Sequence, residues 1–377
     1  METAPALLEL GLVLLGAAGL GVVARRLGLP AVVGYLALGI VISPFTPGFV
    51  ADRTQIQLLA DAGVVLLLFE VGIEVDLAGL QRDHGGLIWA APLQVAISTG
   101  IAGGAAILAG VAPIPALVLG LGVAMSSSVV IVNITRSRGR TTDPPTEKAL
   151  LGWSVIQDLT GVTLAALLLA LLGTSDRPVA VVLGGVVAFV ALAAVAAWLL
   201  PRVLARLADR PDTFLIVSVA SGLTIAGLGA VAFGLPLALA AFVGGIAIVE
   251  SPTSSELRRQ LLPFRELLAV LFFVSIGMLL DPHDLLDGLP WLALLLGLTV
   301  VAKSGVAWVL ARFALPDARP LQVAVGLGQM GEFSFVLATL LVAADAITGA
   351  IYAAVVAAVA ISIATSSVLV RVRRLST

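Results

Sequence analysis

Apolar residues in this chain gather into long runs and do not alternate with polar ones. A membrane-spanning helix needs about 20 predominantly apolar residues, within a working range of about 17–25. Runs bounded by charges and by Pro/Gly clusters predict thirteen spans, near 5–24, 30–44, 56–73, 86–108, 113–135, 149–172, 179–200, 213–231, 235–249, 267–280, 291–310, 321–344 and 347–370. The second, ninth and tenth are short and read as tilted segments or as segments that continue into their loops. No cleavable signal peptide is evident, because residues 1–5 are short and slightly acidic and the first run is long enough to stay as a span.

Charge placement supports the count. With the amino terminus outside, the connections from odd to even spans face the cytoplasm. They carry Arg25, Arg26, Arg82, Arg136, Arg138, Arg140, Lys148, Arg202, Arg206, Arg210, Arg258, Arg259, Arg265, Arg312 and Arg319. The tail adds Arg371, Arg373 and Arg374, so eighteen of the 21 basic residues lie on one side. The external connections hold Arg53 and Arg177, and Lys303 falls inside a span. This is the positive-inside pattern, and a miscounted span would scramble it. The expected location is the cell inner (plasma) membrane, multi-pass, with the carboxyl terminus cytoplasmic.

Composition agrees: 60% of the 377 residues are hydrophobic and 12% charged, more apolar surface than a soluble domain can hide. The absence of cysteine removes disulfides, thiolate metal sites and cysteine nucleophiles. His84 and His283 both fall in polar connections, which argues against a histidine metal site or triad. No nucleophile–base pair, metal cluster or phosphate loop is found, so an enzyme is not expected, and a net charge of −2 gives no reason to expect nucleic acid. The acidic segment 281–287 with His283 reads as a solvated turn.

Thirteen spans divide as repeat one (about 5–172), a linker helix (179–200) and repeat two (about 213–370), the repeats being inverted because seven spans separate each matched pair. Inverted repeats with broken helices in matching positions point to a secondary transporter's site. The fifth span contains Ser126-Ser127-Ser128, and its counterpart, the twelfth, contains Gly328-Gln329-Met330-Gly331-Glu332. Glycine relaxes helical backbone, and hydroxyls replace lost backbone bonds. Close helix packing through small residues is the competing explanation.

Asp158, with Gln157 beside it, lies in the sixth span. An acid at that depth costs roughly 2.5–3.5 kcal/mol on insertion scales and marks ion or proton handling by default; a simple helix tether is the other reading. Gln157, Ser127, Ser128 and Thr160 could add neutral oxygen ligands, which suit an alkali cation, whereas a divalent ion calls for several carboxylates. Lys303 needs an acidic partner, Asp158 or Glu332, or a helix carboxyl end, and it either neutralises Asp158 when the site is empty or forms a static bridge. Glu332 either caps a half-helix amino terminus or ligates the ion directly. Glu70 and Glu74, near the cytoplasmic end of the third span with Asp76, form a candidate acidic access funnel or are solvated interface residues.

Taken together, Gly34-Tyr35-Leu36-Ala37-Leu38-Gly39, Leu68-Phe69-Glu70-Val71-Gly72-Ile73-Glu74-Val75-Asp76, Ser126-Ser127-Ser128, Gln157-Asp158, Phe272-Phe273-Val274-Ser275-Ile276-Gly277-Met278, Lys303 and Gly328-Gln329-Met330-Gly331-Glu332-Phe333 resemble, in order, the membrane part of a Kef-type member of the monovalent cation:proton antiporter superfamily. The resemblance implies an all-α, NhaA-like antiporter fold with a dimerisation part, a moving core and two broken crossing helices, operating as a homodimer by an elevator-like displacement. It maps the ion-binding aspartate to Asp158, its neighbour to Gln157, the core lysine to Lys303 and the unwound segments to Ser126, Ser127 and Ser128 and to Gly328, Gln329, Gly331 and Glu332. Members with glutamine before the aspartate are associated with potassium, and those with a second acid there with sodium. Two features depart from the pattern. Kef systems carry a cytosolic nucleotide-binding regulatory domain after the membrane part, which here was removed, sits on another subunit or never existed. Gly331 also replaces a residue that is often more polar.

The expected function is therefore an electroneutral potassium:proton antiporter in which potassium (or sodium) and protons compete for Asp158. A sodium:proton antiporter is the first alternative and a cation channel of the same fold the second; an organic-anion symporter would need ligands absent here. No cofactor is expected beyond the transported ions, and the partners expected are membrane lipid and a second copy of the chain.

Overall fold

The computed structural model describes residues 4–27, 31–46, 53–74, 85–128, 130–131, 135, 142–171, 179–207, 209–233, 237–246 and 254–369. Among them every regular element is helical: α1 (Ala4–Arg26), α2 (Ala31–Val41), α3 (Arg53–Glu74), α4 (Gly85–Leu108), α5 (Pro113–Ala124), α6 (Pro144–Leu171), α7 (Val179–Leu207), α8 (Pro211–Phe233), α9 (Leu237–Ile246), α10 (Ser254–Met278), α11 (Pro282–Asp287), α12 (Leu289–Leu298), a π-helical turn (Thr299–Gly305), α13 (Val306–Ala314), α14 (Pro320–Leu327), α15 (Phe333–Ala343) and α16 (Gly349–Leu369). Among the described residues eight helical stretches are long and apolar enough to cross a membrane, and α2, α5 and α15 are shorter apolar helices. The tenth predicted run starts earlier than its apolar stretch, because α10 continues back through a polar first half to Ser254. The predicted turn at 281–287 is the short helix α11, whose amino end Asp281 caps by accepting from the His283 amide.

The chain forms two compact units that cut across its linear halves. The first contains Met1–Leu27, Ala31–Asp76 and Gly173–Leu279, and the second is chiefly Leu77–Leu172 and Leu280–Thr377. Each unit thus takes part of both sequence halves.

In the first unit, α10 packs on α2 and α3, and α3 also meets α9. The helices approach to backbone contact at small residues: a Cβ on Gly39 would stand 2.2 Å from Val274 O, and one on Gly277 would stand 2.3 Å from Leu36 O. Without a hydrophobic drive between helices in lipid, such close packing is a main source of cohesion. Glu70 of α3 is fully buried here and accepts from Arg258 Nε at 2.5 Å and Arg265 Nη1 at 2.7 Å, both on α10. Loss of Glu70 would leave the mostly buried Arg265 with an uncompensated charge in low dielectric.

The second unit is built on α4, α5 and α6, with α12 through α16 around them. Leu87, Ala90, Trp153, Ala307, Leu310 and Leu327 form part of its core. Helix α5 begins on Pro113, whose missing amide suits a first helical turn, and stops where Met125 turns extended at φ −83°, ψ 137°. Helix α14 likewise begins on Pro320 and ends at Gly328, while α15 resumes at Phe333. The eleventh predicted run is not a plain α-helix: α12 widens into the π-helical turn before α13. Two hydroxyls bond to carbonyls there, Thr299 to Leu295 O at 2.8 Å and Ser304 to Thr299 O at 3.1 Å, competing with the regular backbone ladder. Val300 and Val301 face outward and Ala302 and Lys303 are buried.

Candidate functional site

Broken backbone is tolerated at membrane depth only when its freed amides and carbonyls find partners within the protein. At the two breaks, 125–128 and 328–332, many of those partners come from the other break. Gly331 N–H donates to Met125 O at 2.9 Å. Ser126 Oγ donates to Leu327 O at 2.9 Å, and in the opposite sense Ser334 Oγ donates to Gly122 O at 2.7 Å. The Gln329 carboxamide spans one residue of the opposing break, its oxygen accepting from Ser127 N–H at 3.0 Å and its nitrogen donating to Ser127 O at 3.3 Å. A Cβ on Gly331 would lie 2.5 Å from Ser126 O, so glycine there is what lets the segments touch.

Lys303 takes the helix-end option of the two foreseen for it. Its buried ammonium donates to Met125 O at 2.6 Å and to Gln329 O at 2.5 Å. These carbonyls stand at the carboxyl ends of α5 and α14, where the helix dipoles leave partial negative charge. Asp158 lies within electrostatic reach of the same ammonium. The lysine is therefore a clamp on both breaks.

Asp158, on α6, is half-buried and accepts a short hydrogen bond from Ser128 Oγ. Its neighbour in the break, Ser127, donates to Glu332 Oε2 at 3.2 Å, while Ser127 Oγ accepts from Val130 N–H at 3.3 Å. Consecutive serine hydroxyls thus address two carboxylates. Glu332 does not cap its half-helix: it occupies the position before α15 with helical dihedrals and makes no side-chain cap bond.

Two expected ligands are engaged elsewhere. Gln157 is fully buried; its oxygen accepts from Ser126 N–H at 2.9 Å and its nitrogen donates to Ala124 O at 3.0 Å. It supports the first break and does not turn its oxygen toward Asp158. Thr160 donates to Ile156 O at 2.7 Å, and two residues along a helix do not share a face with Asp158. Glu70 belongs to the ion-paired cluster of the first unit, and the side chain of Glu74 lies outside the described residues, as do Asp76, Arg82 and His84.

Gln94 and Ser98 on α4 were not anticipated. Gln94 Nε2 donates to Ser98 Oγ at 2.9 Å, and Gln94 Oε1 accepts from Gln157 Nε2 at 2.6 Å and from Trp153 Nε1 at 3.4 Å. Their sequence signal was two polar residues at i and i+4 in an otherwise apolar span, a spacing that puts them on one helix face.

Among the described residues no cluster of three His, Cys, Asp or Glu could hold a metal ion. The Asp158 carboxylate carries the neutral hydroxyl of Ser128, and a second carboxylate, Glu332, is bonded to the adjacent Ser127.

A helical membrane protein whose two helix breaks bond to each other beside a buried lysine and a half-buried carboxylate has features of a secondary transporter. The chain belongs to the sodium/hydrogen exchanger family: the profile of that family's transmembrane region matches residues 11–372. It is a member of the monovalent cation:proton antiporter superfamily, a group of transporters and not of enzymes. It is 33% identical over 335 residues to the protein named "Putative cation/proton antiporter YbaL" of Escherichia coli (strain K12), a match covering 85% of this chain. The matched region spans 60% of that relative's length. The fold resembles that of the sodium proton antiporter MjNhaP1 from Methanocaldococcus jannaschii at pH 8, with a TM-score of 0.74 at 17% identity over 100% of this chain and 99% of the other. A second MjNhaP1 structure, from electron microscopy, gives 0.68 at 15% identity over 100% of this chain and 98% of the other. At such identities the likeness concerns the fold.

Proposed function

We propose that this chain is the membrane part of a Kef-type potassium:proton antiporter that exchanges one cation for one proton. The observation that carries the proposal is the half-buried Asp158, held by Ser128 beside the first break, with a neutral Gln157 in place of a second acid. One carboxylate holds a proton or a cation but not both, so protonated Asp158 carries the proton one way and ionised Asp158 the cation the other. Ser127 and Ser128 supply neutral oxygens near the carboxylate, and Gln157 acts by supporting the break they sit on. Lys303 supplies charge compensation when the cation has left, and Glu332 flanks the site through Ser127. An empty, uncompensated carboxylate is costly to move through the membrane, which suppresses leak.

The same proposal includes thirteen spans in two inverted repeats about a linker helix, the amino terminus outside and the carboxyl terminus cytoplasmic in the cell inner (plasma) membrane. It also includes a homodimer in membrane lipid and a cytosolic nucleotide-binding regulatory domain as a partner. Sodium is the second reading, favoured by the family's description and by the name of MjNhaP1.

In proteoliposomes, Asp158→Asn is expected to abolish cation-driven proton movement while the protein stays folded. Potassium, and not sodium, is expected to stabilise the wild type against heat, with the effect lost in Asp158→Asn. Exchange surviving in that variant would sink the mechanism, and stabilisation by sodium alone would overturn the choice of ion.

A further inference from the structure

We propose that Gln94 is a positioning residue for the Asp158 site. The inference rests on the reading of that site given above. Gln94 lies on α4 and reaches the site chiefly through other side chains, yet it joins the residue before Asp158 to the residue before Lys303. Gln157 Nε2 donates to Gln94 Oε1 at 2.6 Å, Gln94 Nε2 donates to Ser98 Oγ at 2.9 Å, and Ser98 Oγ donates to Ala302 O at 2.7 Å. All three side chains are fully buried.

The direction of every bond in this relay follows from groups that have one role. Ser126 N–H can only donate and Ala124 O can only accept, so Gln157 must present its oxygen to the first and its nitrogen to the second. The indole Nε1–H of Trp153 can only donate, and it shares Gln94 Oε1 with Gln157 Nε2. The nitrogen of Gln94 therefore faces Ser98, with a longer contact of 3.4 Å to Ala124 O, and the hydroxyl of Ser98 is left to donate to Ala302 O. Without the Gln94 oxygen, Gln157 keeps one acceptor for two amide hydrogens and is held by two bonds in place of three. The Ser126–Ser128 break then loses its fixed distance from Asp158, because Ser126 N–H hangs on the Gln157 oxygen. The second arm sets the register of the π-helical turn that carries Lys303. Gln94 thus acts on cation affinity through geometry, at a distance from the ion.

The test measures apparent KM and Vmax for potassium and sodium, and the pH profile, in proteoliposomes of wild type, Gln94→Met, Ser98→Ala, Gln157→Met, the Gln94→Met/Gln157→Met double variant and Asp158→Asn. Gln94→Met is expected to raise the cation KM about tenfold, the scale of one lost buried hydrogen bond, with a smaller change in Vmax and a displaced pH profile. The double variant is expected to lose less than the product of the two singles, because the bond between the two carboxamides is counted in both. If Gln94→Met does not fold, Ser98→Ala carries the test with an expected KM rise of about threefold. An unchanged KM in the folded variants, or losses that multiply in the double, overturns the proposal. Silence of Asp158→Asn alongside a wild-type-like Gln94→Met defeats this inference alone, whereas exchange by Asp158→Asn defeats the site reading and this inference with it.

Discussion

Adding one methyl group at Gly331 tests whether the contact between the two breaks holds the core together. The new Cβ would lie 2.5 Å from Ser126 O, 2.6 Å from Ser126 C and 3.0 Å from Ser127 N, all backbone atoms with no rotamer to escape into. Relief requires a shift of roughly 0.9 Å, from 2.5 Å to ordinary contact at about 3.4 Å. A shift of that size carries the 2.9 Å bond from Gly331 N–H to Met125 O beyond hydrogen-bonding distance. Overpacking costs about 1–3 kcal/mol, and a stranded buried amide about 1–3 kcal/mol, so Gly331→Ala is expected to destabilise by about 2–6 kcal/mol. Gly104→Ala is the control: it lies in α4, where an added Cβ meets nothing within 4 Å, and helix propensity makes it neutral or stabilising by up to about 1 kcal/mol. Unfolding of both variants is followed by tryptophan fluorescence during SDS titration in mixed micelles, with cation-driven proton movement measured in proteoliposomes. Gly331→Ala unfolding at the control's SDS fraction, with wild-type exchange, would show that the breaks do not depend on this contact.

Lys303→Leu removes the donor to Met125 O and Gln329 O. Hydrogen bonds to charged groups are worth about 1.5–3 kcal/mol each, so the loss is expected to reach at least about 3 kcal/mol. Asp158→Asn, which leaves both bonds in place, is expected to lose far less in the same SDS titration; equal losses would deny the clamp. Glu70→Leu strands Arg265 and is expected to destabilise by about 3 kcal/mol. Combining it with Arg265→Leu is expected to restore part of that loss, and a double variant weaker than Glu70→Leu would argue against a buried ion pair.

Several features of the site could be read without coordinates because they depend on local composition. Apolar runs long enough to span lipid, an acid inside one of them, and two short stretches of serine or glycine that weaken a helix are properties of consecutive residues. The breaks at Ser126–Ser128 and Gly328–Glu332 are where the serine and glycine content placed them, and the profile that matches residues 11–372 accords with the order of motifs along the chain. The need of Lys303 for compensation was also legible, since a buried ammonium must be satisfied somewhere.

Which group satisfies it was not legible. Met125 is 178 residues from Lys303 in sequence, and Gln329 is 202 residues from Ser127, separations at which no periodicity or spacing rule operates. A buried carboxamide presents both donors and an acceptor, and only the packed neighbours decide which are used. Gln157 therefore looked like an ion ligand beside Asp158, and tertiary structure turned its oxygen to Ser126 N–H and its nitrogen to Gln94. Glu332 had the position of a cap, but Ser127 of the other break came within reach of its carboxylate. The amino-acid sequence by itself determined that this is a helical membrane protein, where its backbone breaks, and which charges it must reconcile at depth. Tertiary structure alone decided how those charges and breaks are satisfied, because in a dry interior each polar group takes the partner that packing brings within about 3 Å.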